Sequence, residues 1–364
     1  MDTFPHQRTG DTTEVGDATR RSARQQHATQ PPAVTPQVPV TAEELTHFSQ
    51  TFSRMTAAIG QVILGKEQTI RECLTALLVG GHILLEDNPG TGKTQLARAI
   101  GKTVHVHTSR IQFTPDLLPS DVLGVTFYDQ KTGQFQFRTG PIFASIILAD
   151  EINRASPKTQ SALLEVMEEK HVTVDGTTYA MPQPFMVIAT QNPIEQLGTY
   201  KLPEAQLDRF VMKTHLGNPS HEVSLEILKQ LNIVDRASQI DLDTVIEPDQ
   251  VDTLVRIAEK VFVDEAIAEY VMRIVEATRH HEKLSMGSSM RGAQALLRCA
   301  KVQAAAEERS YVIPDDIKKL CHPVLGHRLI MVPEAEFEGI NVESIIDDIL
   351  NSVAPPSTGS GGVH

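Results

Sequence analysis

The sequence is poor in cysteine and contains no long apolar stretch, and these two absences exclude several classes of protein. The three cysteines, Cys73, Cys299 and Cys321, lie far apart and form no C-x-x-C pair, which argues against a disulfide framework and a cysteine-based metal site. No apolar segment of the secretory-signal type occurs near the N-terminus. The longest apolar run, around residues 74–85, is interrupted by a Gly-Gly-His sequence and is too short to cross a bilayer. We therefore expect buried, reduced cysteines, no integral membrane segment and a cytoplasmic protein.

Positive charge is also scarce in this chain. The 364 residues include 33 lysines and arginines against 46 aspartates and glutamates, which gives a formal net charge of -13 at pH 7. Because nucleic acids and anionic membranes attract proteins mainly through basic residues, this balance argues against a general affinity for either. A local basic groove is compatible with it. We therefore predict no nucleic-acid partner.

The chain is long enough for two domains with cores of their own, and its composition changes along its length. Residues 1–40 are rich in Thr, Gln, Arg and Pro and have almost no periodic apolar positions, which predicts a disordered N-terminal arm. The strand-like segments lie within residues 41–216, and from Asn218 onward the apolar spacing is helical. The sequence therefore predicts an α/β domain at 41–216, a helical domain at 217–353 and a flexible tail at 354–364.

A strand, a glycine-rich loop and a helix are predicted in succession between residues 83 and 100. Gly90 and Gly92 allow the backbone to turn its amides inward around phosphate oxygens, and the N-terminus of the next helix adds its positive dipole end. Lys93 supplies a charge for the outer phosphates, and the Thr94 hydroxyl is a ligand for Mg²⁺. The predicted nucleotide phosphate site comprises eight residues: Asn88, Pro89, Gly90, Thr91, Gly92, Lys93, Thr94 and Gln95.

One position departs from the general phosphate-loop pattern G-x-x-x-x-G-K-[ST]. Asp87 stands where that pattern has glycine. By itself, an imperfect match of this kind is also compatible with an ordinary turn between a strand and a helix. Two further motifs downstream favour the phosphate loop.

The first of these motifs is an apolar strand at residues 146–149 that ends in two carboxylates, Asp150 and Glu151. This pattern is typical of a buried parallel strand whose acidic end lies at the carboxyl edge of the sheet, beside the phosphate loop. There Asp150 can hold Mg²⁺ and Glu151 can polarise an attacking water. The second is a buried strand at 185–189 that leads to Asn192, a polar group at the same edge. Together these motifs predict hydrolysis of a nucleoside triphosphate.

Two β-hairpins are predicted within the α/β domain. Residues 125–128 and 134–138 alternate apolar and polar side chains around a short polar loop. Residues 171–174 and 177–179 flank an Asp-Gly pair, which is a strong hairpin-turn signal.

Three longer motifs closely resemble the MoxR family of AAA+ ATPases: DEINRA at residues 150–155, ATQNP at 189–193 and LPEAQLDRF at 202–210. The similarity extends from about residue 45 to about residue 350. The resemblance implies an α/β fold, with a P-loop AAA+ core that has a parallel sheet and β-hairpin inserts, followed by an all-α lid domain. It also implies that identical chains assemble into rings, commonly hexamers. The exposed hairpin aromatics would then contact either a client protein or the neighbouring subunit.

The resemblance assigns roles to individual residues. The phosphate loop resembles a Walker A motif, and the strand end resembles a Walker B motif in which Asp150 belongs to the Mg²⁺ shell and Glu151 is the base. Asn192 resembles the sensor that helps to position the attacking water. Arg209 resembles the arginine finger that is offered to the neighbouring subunit's γ-phosphate, and Arg291 resembles the second sensor.

Two of these assignments have structural alternatives. An ion pair with Asp208 or another nearby acid would also explain Arg209. A solvated place in the first turn of a helix would equally explain Arg291. Three further departures from the family pattern lie outside the catalytic roles and bear on the choice of partner: Leu197, Lys201 and Met290.

The activity implied by the resemblance is Mg²⁺-dependent hydrolysis of ATP that drives conformational cycling of a ring. The implied role is chaperone-like maturation or activation of partner complexes, and family members often act with von Willebrand factor A-type proteins. One alternative is another AAA+ motor for metal insertion or nucleic-acid remodelling, and the acidic net charge argues against the nucleic-acid form. The other alternative is a nucleotide-gated binding scaffold with little hydrolysis, and the presence of both Glu151 and Arg209 argues against it.

Overall fold

The computed structural model describes residues 38–88, 90–192, 199–231 and 242–356. Most of the predicted arm, most of the predicted tail, Pro89 and Leu197 lie outside these ranges. The described ranges contain a central sheet, the helices that cover it and the helical region that follows.

Five parallel strands form the central sheet: β1 (Ile83–Glu86), β2 (Thr108–Gln112), β5 (Ile146–Asp150), β8 (Met186–Gln191) and β9 (Met212–Thr214). Their order across the sheet is β2-β5-β8-β1-β9. Parallel neighbours need crossover connections, so the intervening elements cover the faces of the sheet. Since β5, β8 and β1 lie side by side, their carboxyl ends meet at one edge. The predicted parallel sheet is confirmed.

Both faces of this sheet are buried. On β1, Ile83 and Leu85 enter one hydrophobic cluster and Leu84 enters a second, and β5 and β8 repeat this alternation. Successive side chains of a strand point to opposite faces, so a sheet covered on both sides needs apolar residues at every position. This explains why its strands are continuous apolar runs in the sequence.

Helices cover the two faces of the sheet. The first cluster includes side chains of α1 (Ala42–Gly60), α2 (Glu67–Leu78) and α3 (Lys93–Thr103), and the second includes side chains of α4 (Pro119–Leu123) and α5 (Pro157–Glu169). The predicted capping box starts α1, because the Glu44 amide donates to Thr41 Oγ1 at 3.2 Å and the Thr41 amide donates to Glu44 Oε2 at 2.9 Å.

Both predicted hairpins are present. They are formed by β3 (Gly124–Asp129) with β4 (Gln134–Thr139), and by β6 (His171–Val174) with β7 (Thr177–Ala180). Phe137 stacks on Tyr179 with 4.6 Å between ring centroids, so the hairpins pack against each other. Phe135 is exposed on the first hairpin.

The short helix α6 (Glu204–Leu207) precedes β9, and the chain after β9 is helical, as predicted. It contains α7 (His221–Leu231), α8 (Pro248–Glu259), α9 (Glu265–His280), α10 (Met290–Ala306), α11 (Pro314–Leu325), α12 (Pro333–Phe337) and α13 (Val342–Ser352). The prediction that this region is all-α is wrong in one detail. Strands β10 (Leu284–Met286) and β11 (Ile330–Met331) form a short antiparallel pair. Strands of two or three residues are too short for a period of two to be read from sequence.

The helical region packs on the side of the sheet that carries α1 and α2. Apolar side chains of α8, α10 and α11 belong to the same hydrophobic cluster as those of α1 and α2. The core and the lid therefore share one apolar interior. Within the described ranges, no helix has both the length and the apolar character needed to span a bilayer.

Candidate active site

The phosphate loop connects β1 to α3 at the carboxyl edge of the sheet. Gly90 and Gly92 have φ angles of +87° and +94°, in a region that residues with side chains rarely adopt, which explains glycine at both positions. Helix α3 begins at Lys93, and the amides of its first turn have no partners within the helix. The described part of the loop therefore has the backbone that a phosphate group needs.

Lys93 supplies the charge at this loop. Its Nζ donates to the backbone carbonyls of Asn88 at 2.7 Å and Asp87 at 3.3 Å. Phosphate oxygens can replace these carbonyls, and charge-assisted bonds to phosphate are the stronger ones. Thr94 and Gln95 occupy the first turn of α3, directly after the lysine.

Asp150 is the last residue of β5, and the strands on either side orient its carboxylate. Arg110 Nη2 on β2 donates to Oδ2 at 2.6 Å, and Thr190 Oγ1 on β8 donates to Oδ1 at 2.7 Å. Mg²⁺ at nucleotide sites usually binds one or two protein oxygens together with phosphates and waters. The Thr94 hydroxyl and the Asp150 carboxylate are ligands of this kind, so the residues present fit a Mg²⁺–nucleotide complex.

Glu151 has an unusual backbone conformation, with a φ of +57°. For a residue other than glycine this costs on the order of 1 kcal/mol. The Glu151 amide donates to Thr190 Oγ1 at 2.8 Å, which holds the bend in place. The carboxylate accepts hydrogen bonds from Gln112 Nε2 at 2.8 Å and from Arg154 Nη1 at 3.1 Å. These two hydrogen bonds hold the carboxylate in place beside Asp150.

Asn192 directly follows β8, the strand between β5 and β1. The residue is buried, and its backbone carbonyl accepts a hydrogen bond from Asn153 Nδ2 at 3.5 Å. Neighbouring strands lie about 4.8 Å apart, so this position is one strand away from both Asp150 and the phosphate loop. The structure thus brings the predicted residues of the carboxyl edge together on three adjacent strands.

Arg209 and Arg291 lie at the opposite end of the strands. Arg209 Nη2 contacts Glu168 Oε2 at 3.0 Å, and Arg291 donates to the other oxygen of the same carboxylate. Both arginines line a cavity of about 300 Å³ whose wall includes His82 and Val211, the residues directly before β1 and β9. Because these two strands are parallel, the cavity lies at the amino edge of the sheet. The structure brings the two arginines together and separates them from the phosphate loop of the same chain.

This cavity, called the basic cavity below, has five basic and two acidic side chains in its wall: Lys170, Arg209, Arg291, Arg298 and Arg328, with Glu168 and Asp208. The Arg328 side chain is only 3% exposed. It donates to Asp208 Oδ1 and to the Phe210 carbonyl, each at 2.7 Å, and so fixes the backbone on both sides of Arg209. The excess of basic groups favours an anionic ligand at this edge.

Two buried histidines adjoin the basic cavity without adding charge to it. His82 accepts the Val187 amide at Nδ1 (3.0 Å) and bonds the Met167 carbonyl through Nε2 (2.9 Å), and burial lowers the pKa of His82 to about 4. His327 Nε2 bonds the Phe210 carbonyl at 3.0 Å. Burial and a neighbouring guanidinium hold the pKa of His327 well below its usual range. Both are therefore neutral at pH 7.

These contacts bear on the alternatives for the two arginines. Arg209 is ion-paired within the chain, and its partner is Glu168, whereas Asp208 pairs with Arg328. Arg291 is half-exposed and shares the Glu168 carboxylate. Partly exposed ion pairs are weak, so a phosphate group of higher charge can displace the carboxylate.

Several residues of the site were missed by reasoning from the sequence. Arg110 and Gln112 alternate along β2, and Gln112 lies in register with Asp150. The sequence did contain a signal for them, because polar residues at positions i and i+2 of a strand point to the same face of the sheet. Glu168 had no such signal, because its two arginine partners are remote in the sequence.

Comparisons with known proteins match both the sheet-containing part of the chain and the helical region after it. Residues 82–212 match the family model described as "ATPase family associated with various cellular activities (AAA)", and residues 276–349 match the AAA lid domain. Chaperone MoxR1 of Mycobacterium tuberculosis is 41% identical over 324 residues, which cover 86% of this chain and 85% of that protein. The YeaC protein of Bacillus subtilis is 49% identical over 299 residues, which cover 82% of this chain and 92% of that protein.

A solved structure shares the fold. The crystal structure of a candidate ATPase from Cytophaga hutchinsonii aligns with a TM-score of 0.80 at 40% sequence identity, covering 86% of this chain and 98% of that chain. The sequence motifs, the parallel sheet with its phosphate loop and the extent of these matches agree. The chain belongs to the MoxR family of AAA+ ATPases.

Proposed function

We propose that this chain hydrolyses ATP with Mg²⁺ in a ring of identical subunits, in which the arginines of one subunit complete the phosphate site of the next. The observation that carries the proposal is the position of the two halves of the site at opposite edges of one sheet. The phosphate loop follows the carboxyl end of β1, and the basic cavity includes the residue before its amino end.

The separation of the two edges disfavours a site completed within one chain. The four residues of β1 span about 13 Å at about 3.3 Å per residue. A head-to-tail contact between two copies would place the basic cavity of one chain against the phosphate loop of the next. Heterologous contacts of this kind close into rings when the rotation between copies permits. The resemblance to the family favours a hexamer.

The residues of the carboxyl edge are suited to the chemical step. Lys93 would bind the outer phosphates, and Thr94 and Asp150 would hold Mg²⁺. When bound there, Mg²⁺ neutralises negative charge on the phosphate oxygens. Glu151 would accept a proton from the attacking water, and Asn192 would orient that water.

The basic cavity of the adjacent subunit would act on the same phosphate. Phosphoryl transfer spreads negative charge over the equatorial oxygens in the transition state. Guanidinium groups placed at those oxygens stabilise the transition state more than the ground state. Arg209 and Arg291, which share one carboxylate in the isolated chain, would exchange it for the phosphate.

The proposed biological role is chaperone-like maturation or activation of partner complexes, driven by movement of the lid (residues 217–353) relative to the core (residues 41–216). The name of the M. tuberculosis relative, Chaperone MoxR1, supports this role. A partner of von Willebrand factor A type and a cytoplasmic location are parts of the same proposal. The described residues offer no feature that specifically favours metal insertion or nucleic-acid remodelling.

Mixing two inactive variants tests the arrangement of the site. Arg209→Ala chains retain Glu151, and Glu151→Gln chains retain Arg209. We expect each variant alone to turn over ATP near background. In mixed rings, a complete site forms wherever an Arg209→Ala chain receives Arg209 from a Glu151→Gln neighbour. An equal mixture should therefore recover about a quarter of the wild-type rate.

Failure of the mixture to recover any activity would mean that the arginines act within their own chain. Arg256→Ala, which removes an exposed arginine from α8, is the matched control and should behave like the wild type.

ATP turnover per chain should also rise with protein concentration and then saturate. Absence of turnover at every concentration, with binding retained, would favour the nucleotide-gated scaffold.

A further inference from the structure

Asp87, the residue that departs from the general phosphate-loop pattern, is buried and binds the segment that leads out of the sheet. Its Oδ2 accepts the Leu216 amide at 2.6 Å, and its Oδ1 accepts the Gly217 amide at 2.7 Å. Both bonds are charge-assisted, which makes them short and strong. Leu216 and Gly217 stand at the predicted boundary between core and lid. The phosphate loop therefore holds the core–lid linker, defined here as residues 215–218.

The linker is also held from α2 and the residue before it. Lys66 Nζ donates to the Asn218 carbonyl at 2.9 Å, and Thr69 Oγ1 donates to the His215 carbonyl at 2.9 Å. Gly217 has a φ of +60°, so the chain bends there in a conformation that glycine allows. Contacts to Asp87 on one side and to α2 on the other thus set the direction in which the chain enters the helical region.

The backbone of Asp87 belongs to the nucleotide site. Its carbonyl accepts a hydrogen bond from Lys93 Nζ at 3.3 Å. Its amide donates to the Gln191 carbonyl at 3.1 Å, next to Asn192 at the end of β8. One residue therefore contacts the lysine that would bind the outer phosphates, the strand that precedes the proposed sensor Asn192, and the core–lid linker.

We propose that Asp87 is a positioning residue that couples the state of the phosphate loop to the core–lid linker, a coupling that rests on the proposed function because it requires nucleotide at Lys93. A phosphate group that takes Lys93 away from the Asp87 carbonyl orders the loop around the anion. The Asp87 carboxylate, carried by the ordered loop, then holds the linker amides more firmly. Glycine, the residue of the general pattern, has no carboxylate and cannot make this connection.

Amide hydrogen exchange at Leu216 and Gly217, measured on the full chain with and without Mg²⁺ and ADP, tests the coupling. In the wild type we expect ADP to slow exchange at both amides by about tenfold or more, the effect of a strengthened charge-assisted bond. In Asp87→Asn and Asp87→Gly, the slowing should fall below about threefold, because neither side chain offers two carboxylate oxygens. The ADP dissociation constant should change by less than about threefold, while kcat falls about tenfold.

Glu86→Gln is the matched control for these variants. It makes the same change of charge one residue earlier, in the ion pair between Glu86 and Lys213 at 3.0 Å. We expect its ADP-dependent exchange at the linker to equal that of the wild type.

If Asp87→Asn does not fold, Lys66→Met replaces it, because this variant loosens the linker from the α2 side. Its linker exchange should be faster overall, and the slowing by ADP should persist.

Full ADP-dependent slowing in both Asp87 variants would overturn the coupling, as would a wild-type chain that binds ADP without any change at the linker. Loss of the slowing in Lys66→Met would also overturn it, because the linker would then be controlled from α2. Failure of the proposed function gives a different result: the wild type binds ADP and the linker responds, but ATP is not hydrolysed at any protein concentration. In that case the coupling through Asp87 is retained and the hydrolytic role is rejected.

Discussion

The two edges of the central sheet are built differently. At the carboxyl edge, the phosphate loop is one continuous segment, Asp150 ends β5 and Glu151 directly follows it. At the amino edge, the basic cavity takes side chains from α5, from the segment before β9, from α10 and from the chain after α11. The groups of the first edge lie in short segments at the ends of neighbouring strands, whereas the second edge depends on the docking of helices from both parts of the chain.

Under the proposed function, this difference predicts which site a substitution impairs. A substitution at the carboxyl edge should impair the chain that carries it, because that chain binds its own nucleotide. A substitution at the amino edge should impair the neighbouring site instead. Of the four predictions that follow, three concern this distinction and one concerns the pH dependence of stability.

Removal of the Arg209 guanidinium should have the largest effect. We expect Arg209→Ala to lower kcat roughly 10³-fold or more, because a cation at the equatorial oxygens is lost. Nucleotide affinity should stay within about threefold of the wild type, since the phosphate loop of the same chain is intact. Steady-state turnover and equilibrium binding measure the two quantities, with Arg256→Ala as control. A variant with wild-type kcat would reduce Arg209 to a structural partner of Glu168.

Loss of the proposed base should come next. We expect Glu151→Gln to bind ATP normally and to hydrolyse it about 10²- to 10³-fold more slowly, because the amide cannot accept the proton of the attacking water. Lys93→Ala, at the same edge, should instead lose nucleotide binding itself. Binding assays and single-turnover hydrolysis separate the two defects. Normal hydrolysis by Glu151→Gln would show that another group is the base.

The free energy of unfolding should depend on pH through His82, which is buried at the amino edge. Burial lowers the pKa of His82 to about 4, so between about pH 6.5 and pH 4 the unfolded chain binds a proton that the folded chain does not. The free energy of unfolding is therefore highest above about pH 6.5, where His82 is neutral in both states. It decreases as the pH falls toward 4, because the unfolded chain binds the proton first. At pH 5 the loss should be about 2 kcal/mol.

The variant His82→Gln isolates this effect, because an amide can both donate and accept in place of the imidazole but does not titrate near pH 5. Urea unfolding at pH 7.5 and pH 5 should give a smaller pH-dependent loss for the variant than for the wild type. Equal losses for the two proteins would assign the acid sensitivity to other groups.

The smallest of the four effects should follow from neutralising the carboxylate that joins the two arginines. We expect Glu168→Gln to lower kcat about tenfold, because an amide cannot hold two guanidinium groups in place through charge-assisted bonds. Glu165→Gln, at an exposed position three residues earlier on α5, is the control. Glu168→Gln should also regain activity when mixed with Glu151→Gln, as expected for a residue of the amino edge. An unchanged or increased kcat would show that Glu168 does not position the two arginines for the phosphate.

Elements with strong local signals were predicted correctly from the sequence. The capping box at Thr41 and Glu44 starts α1, and the Asp-Gly pair forms the turn between β6 and β7. Each depends on residues within three or four positions of one another, so the local sequence is enough. The short pair β10–β11 was missed because its two strands are too short to show a pattern of their own and are remote from each other in the sequence.

The role of Asp87 could be predicted only in part. The sequence revealed that it departs from the common phosphate-loop pattern, but it gave no indication of the residue's partners. The structure supplies them, since Leu216 and Gly217 lie 129 and 130 positions further along the chain. A residue that breaks a local rule is often explained by a contact of this range.

The succession of strands along the chain, the phosphate loop, the acidic strand end and the family could all be predicted from the sequence, because these depend on propensities and spacings within short segments. The order of the strands across the sheet could not. Two contacts are visible only in the folded chain: Arg209 and Arg291 share Glu168 at the amino edge, and Asp87 holds the core–lid linker. The physical reason is that an ion pair or a buried hydrogen bond forms between groups that packing brings together, whatever their separation in the chain. The burial of the hydrophobic clusters on the two faces of the sheet therefore settles which distant charges meet.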